Sequence, residues 1–392
     1  MSTTPRTPHL TAVLRGDVER VTPLELFFDL VFVLALTQCT ALMADVPSWA
    51  GVAQAMAILM VLWWSWGGYA WLTSVVDPEE GVVRIAMFAA MAAFLVCAIS
   101  VPGAFDDEAF LFAAAYAAVR VAHIALFVIA SRDQPDLRKS VIGLGISTAI
   151  GVGLLLAAAA TDNVLQGSLW AVAITLDLAG PYFFGVEGWQ MVPRHFVERF
   201  GLIIIIALGE SIVAIGAGIH GDITAGIVAA AVLGIAVSGA LWWLYFDIVA
   251  LVAERRLVNA APGRERNSLG RDSFGYLHFP MVAGIILVAL GFKKTVGDVD
   301  KHLDLIPAVG LLGGTAVYLL AHVAFRWRNV HRFSSQRLVT ATVCAALIPL
   351  ALEIPSLATL AILAAVLVAL LAYESIRFAE LRDRLRHQVA EE

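Results

Sequence analysis

The stretch VTPLELFFDLVFVLALTQ (21–38) holds Glu25, Asp29 and Gln38 in otherwise apolar sequence. Glu25 and Asp29 are spaced i, i+4, so a helix places both carboxylates on one face. An acid in such surroundings can bind a proton or a cation, or neutralise a buried base. Bases are present in similar runs: Arg120, His123 and His322. Glu210 is a further acid, within LGES at 208–211. Asp177, Asp247 and His278 complete the charged or titratable residues inside apolar segments. We take Glu25, Asp29, Gln38, Arg120, His123, Glu210 and His322 as candidates for binding an ion or solute.

Position separates them. Glu25 falls at the start of its helix, where the macrodipole favours a carboxylate. Asp29 lies one turn deeper, ~8 Å in by helical rise, and fits a structural ion pair or a functional acid. Glu210 lies ~21 Å along its helix and Arg120 ~16 Å along its own. Arg120 is therefore expected to pair with Asp29 or Glu210. Glu198 and Arg199 read as a helix-start motif that anchors the seventh apolar segment. His123 and His322 suit either hydrogen-bonded core positions or a proton relay. His195 and Glu198 share HxxE spacing without further ligands nearby, so no metal is expected. Cys39, Cys97 and Cys344 stand alone in apolar runs, with no disulfide or metal-ligand spacing.

These residues need elements that hold charge in an apolar setting. The chain has 392 residues, of which 60% are hydrophobic and 15% charged, with a mean hydropathy of +0.83. Apolar stretches of about 20 residues recur, the length of a transmembrane helix. Twelve are predicted: 24–44, 49–76, 82–101, 109–130, 139–160, 164–185, 196–218, 223–253, 274–296, 304–325, 337–353 and 355–377. The fold class is an all-α polytopic membrane bundle of about 12 helices. The longest loop, about 254–273, is basic and polar.

The loops set an orientation. With the N-terminus inside, 22 of the 26 basic residues fall in cytoplasmic segments. Lys293, Lys294 and Lys301 fall outside, and Arg120 is in a span. This asymmetry predicts cytoplasmic termini. A net charge of −6, with no basic stripe interleaved with aromatics, argues against a nucleic-acid partner. No nucleotide-binding loop occurs, so no cofactor is expected. The glycines at 143, 145, 151 and 153 fit close helix packing.

The chain also matches itself. FFDLVFVLALTQ (27–38) aligns without a gap on RFGLIIIIALGE (199–210), so Gln38 faces Glu210. Leu62-Trp63-Trp64 recurs as Leu241-Trp242-Trp243, and Ala122-His123-Ile124-Ala125 as Ala321-His322-Val323-Ala324. The expected organisation is a tail at 1–23, a six-helix half at 24–185, a connector at 186–195, a second half at 196–377 and a tail at 378–392. Six helices per half make the repeat parallel, about an axis along the membrane normal.

The core Glu25–Val33, the pair Glu198-Arg199 and the run Leu-Gly-Glu-Ser at 208–211 resemble the bacterial low temperature requirement A (LtrA) family. The resemblance covers nearly the whole chain. It implies a multi-spanning protein of the bacterial inner membrane, named for a growth requirement in the cold. The residues themselves point to a secondary transporter or ion-coupled permease whose partners are the bilayer and a small solute or ion. Two alternatives stay open: a non-catalytic sensor or scaffold for cold adaptation, and a membrane-embedded lipid-modifying enzyme.

Overall fold

A computed structural model describes residues 20–79, 81–184 and 188–380. Most of the expected tails, and residues 186 and 187 of the expected connector, lie outside the described residues. The described chain is built from twelve apolar helices: α1 (Pro23–Asp45), α2 (Trp49–Thr73), α3 (Gly81–Ile99), α4 (Ala109–Ala130), α5 (Pro135–Ala158), α6 (Asn163–Phe183), α7 (Pro193–Gly218), α8 (Ala225–Val258), α9 (Arg264–Gly297), α10 (Leu305–Val330), α11 (Ser335–Ala351) and α12 (Ser356–Arg377). Among the described residues, eleven are long and apolar enough to cross a membrane. The exception is α11, which ends before Pro355. The architecture is the predicted polytopic helical bundle.

The segment expected as a long loop at 254–273 is mostly helical. Helix α8 breaks at Asp247-Ile248 and resumes as Val249–Val258. Helix α9 begins at Arg264, about ten residues earlier than expected. The polar residues here serve as caps rather than as loop. Arg266 Nη2 donates to the carbonyls of Val258 (3.1 Å) and Ala260 (2.9 Å), which a helix end leaves without partners. Arg256 pairs with Glu265 at 3.0 Å.

The chain divides into two compact units, residues 1–32 with 64–196 and residues 33–63 with 197–392. The boundaries fall inside α1, α2 and α7. In the first unit, α3 packs on α4, α4 on α5, and α5 on α6. Its core holds an aromatic cluster: Phe28 lies 4.9 Å from Tyr69 and 5.4 Å from Phe94, and Phe32 lies 6.1 Å from Trp66. In the second unit, α9 packs on α10, α8 on α12, and α10 on α11. Helices α9 and α10 contain π-helical segments, Gly270–Tyr276 and Val309–Gly313.

Helix α1 shows how these helices are patterned. Glu25, Phe28, Asp29 and Phe32 are buried, on an i, i+3, i+4, i+7 stripe. Leu26, Phe27 and Leu30 face outward. Both acids lie on the buried stripe and the outward residues Leu26, Phe27 and Leu30 are apolar, as a helix bounded by lipid requires.

Candidate functional site

In the first unit, the start of α1 forms a capping box. The backbone N–H of Thr22 donates to Glu25 Oε2 (2.8 Å), and the N–H of Glu25 donates to Thr22 Oγ1 (3.4 Å). Pro23 occupies the first helical position, where no N–H is needed. Glu25 is fully buried and meets His195 Nε2 at 2.9 Å. One turn deeper, Trp66 Nε1 donates to Asp29 Oδ1 at 2.7 Å. Arg120 and His123 lie one turn apart on α4. Arg120 Nη2 donates to Thr148 Oγ1 (2.5 Å) and lies 3.7 Å from Asp177 Oδ1. The Tyr116 hydroxyl donates to the other Asp177 oxygen at 3.2 Å. His123 packs on Tyr69 and Phe127, at 5.2 and 5.0 Å. Gly68 admits that ring, since a Cβ there would stand 2.7 Å from His123 Cε1.

In the second unit, Glu210 of α7 is 1% exposed and accepts a hydrogen bond from Thr37 of α1. Lys293 of α9 acts on it through space without reaching ion-pair distance. Arg337 at the start of α11 is held by four hydrogen bonds to three residues. It donates to both Glu374 oxygens (2.9 and 2.8 Å), to the Leu244 carbonyl (3.1 Å) and to His322 Nδ1 (2.8 Å). A guanidinium only donates, so Nδ1 of His322 accepts and Nε2 carries the ring proton. His278 is fixed the opposite way. Its Nδ1 donates to the Ser273 carbonyl (2.9 Å), and its Nε2 accepts from Tyr245 (2.8 Å). Ser273 belongs to the π segment of α9, where altered pairing frees carbonyls. Trp63 Nε1 donates to another of them, Gly275, at 2.8 Å.

Residues 20–372 match the family described as bacterial low temperature requirement A protein (LtrA). The chain belongs to this family. It is also 30% identical over 310 residues to an uncharacterized protein, RA0937, of Rhizobium meliloti (strain 1021), covering 75% of this chain and 74% of that one. No solved structure matches. With eleven membrane-length helices among the described residues, this LtrA protein is a multi-pass membrane protein.

The LtrA motifs supply buried side chains in both units. Glu25 is more than an interfacial carboxylate, since it caps α1 and binds His195. Of the helix-start pair, Glu198 is exposed while Arg199 is fully buried. Arg199 faces the packed interior, and α7 begins at Pro193, more than one turn before it. Gln38 is half-buried and joins none of these clusters.

One expected pairing is corrected. The acid beside Arg120 is Asp177, not Asp29 or Glu210. Helix α6 carries Asp177 to the face of α5 that presents Thr148, and both side chains close on the guanidinium. His123 and His322 hold matching places in the sequence repeat, yet their settings differ: one is packed among rings, the other bonded to an arginine. Sequence reasoning missed the Trp66–Asp29 bond and the Arg337–Glu374 pair. Trp66 lies one turn from Trp63, on the same helix face, which was a usable signal. Arg337 opens the predicted span 337–353, and nothing in its immediate sequence marks a partner 37 residues away.

Proposed function

We propose that this LtrA protein is a secondary transporter or ion-coupled permease, with Glu210 as the carboxylate that takes up a proton or cation. One contrast carries the reading. Asp177 lies beside Arg120, Glu374 binds Arg337 and Glu25 meets His195, whereas Glu210 has a hydroxyl partner and no ion pair among the described residues. An ionised side chain deep in a bilayer costs about 2.5–3.5 kcal/mol on insertion scales. Lys293 reaches Glu210 only through space, so a bound proton or cation completes its neutralisation. The interruptions of α8, α9 and α10 support the same reading, since transporter sites form where membrane helices break. The internal sequence repeat adds to it.

The protein works in the bacterial inner membrane with both termini cytoplasmic, and it moves a small solute or ion without covalent chemistry. The test is a liposome flux assay that scans protons, cations and small solutes. Movement of one of them, lost on Glu210→Gln, is the expected result. Absence of flux across the whole panel would favour the scaffold reading. An altered lipid profile in a deletion strain, together with absent flux, would favour the lipid enzyme.

A further inference from the structure

A cavity of about 260 Å³ opens in the second unit, ample for a phosphate group where one water needs about 10–15 Å³. It is bounded by the resumed segment of α8, the end of α10, the start of α11 and the end of α12. Arg326, Arg332 and Arg337 line it, against the single acid Glu374. Arg337 is committed to Glu374, His322 and the Leu244 carbonyl, so it shapes the wall. Arg326 uses one nitrogen on Ser334 Oγ (2.8 Å) and feels the positive fields of Arg337 and Arg332 as well as the opposing field of Glu374, which is itself bonded to Arg337. Arg332 is exposed and has no ion pair among the described residues. Two cations thus converge on a cavity whose one acid is already taken.

Three further features favour an anion there. Ser334 and Gln336 bring the N-terminus of α11 to the cavity, and the Ser334 side chain does not cap it, so first-turn N–H groups stay open. His322, 1% exposed, lines the same cavity, and its Nε2 has no hydrogen-bond partner. With Nδ1 accepting from Arg337, that Nε2 is a buried donor without an acceptor. The remaining wall is apolar, including Val249, Val252, Phe325 and Phe378.

We propose that this cavity binds the phosphate of an anionic phospholipid, with Arg326 and Arg332 on the headgroup and the apolar wall against the upper acyl chain. A free phosphate would meet the same cations but leave the apolar wall uncovered. The cavity lies where α10 ends and α11 begins, which is the cytoplasmic end under the proposed orientation. Headgroup selectivity does not depend on that orientation or on transport.

The experiment uses the full-length protein in neutral detergent and native mass spectrometry with dioleoylphosphatidylglycerol and dioleoylphosphatidylcholine. The proposal expects preferential retention of phosphatidylglycerol, reduced about fivefold for each arginine removed in Arg326→Gln and Arg332→Gln. The exposed Arg332→Gln change alone should leave the fold intact and still weaken retention. Arg256→Gln with Arg264→Gln removes similar charges outside the cavity and should leave retention unchanged. The proposal is overturned by any of four results: equal retention of phosphatidylcholine, an unchanged Arg332→Gln protein, equal loss in the distal variant, or binding of inorganic phosphate with no preference between the lipids.

Discussion

The buried charges follow one rule at the scale of the residue: a base or an aromatic donor meets most acids, and the exception is informative. Arg120 and Asp177 are both nearly inaccessible, so removing one leaves the other uncompensated. Arg120→Leu should lower stability by about 3–5 kcal/mol. Arg120→Leu with Asp177→Asn should recover part of it, measured by thermal unfolding in detergent. No recovery in the double variant would break the pairing. Trp66→Phe keeps an aromatic side chain but removes the N–H donor to Asp29, and leaving that buried acceptor unsatisfied should cost about 1–3 kcal/mol. The sequence marked Asp29 and Arg120 as charges that need partners, because cost and depth are readable from one segment. It did not mark which partner. That choice depends on the rotation of α6 about its axis, which turns Asp177 inward, and no local pattern encodes it.

Packing at the scale of the element is set by the smallest side chains. Helices α9 and α10 approach backbone to backbone. A Cβ on Gly284 would stand 2.7 Å from the Gly314 carbonyl oxygen, and one on Gly310 would stand 2.8 Å from that of Leu287. Gly310 and Gly314 form a GxxxG pair of the kind that lets membrane helices touch. Gly314→Leu should therefore separate the helices and cost more than about 2 kcal/mol, an overpacking effect. An unchanged melting temperature would contradict that. The start of α1 makes a milder test: Thr22→Val removes the cap hydroxyl and should cost about 1 kcal/mol. Hydropathy located all twelve helices, since an apolar run of fixed length is a direct signal. It misjudged 254–273 because helix ends use charged residues as caps, and a cap such as Arg266 reads as loop in composition alone.

The orientation can be tested at the scale of the whole molecule without any activity. Cys39, Cys97 and Cys344 are buried, so new surface cysteines report cleanly. Asp162→Cys and His220→Cys should react with an impermeant reagent from outside intact cells, and Pro262→Cys only after the membrane is opened. The reverse pattern would invert the topology drawn from the basic residues. Function is the harder inference, since burial and pairing define where a proton or cation is wanted but not what travels with it. The most direct test is ion flux into proteoliposomes that carry the wild-type protein or Glu210→Gln under an imposed membrane potential. Wild-type flux should exceed that of protein-free vesicles, and a Glu210→Gln protein, equally well folded, should fall to that baseline. Undiminished flux through Glu210→Gln would contradict the proposed role of Glu210.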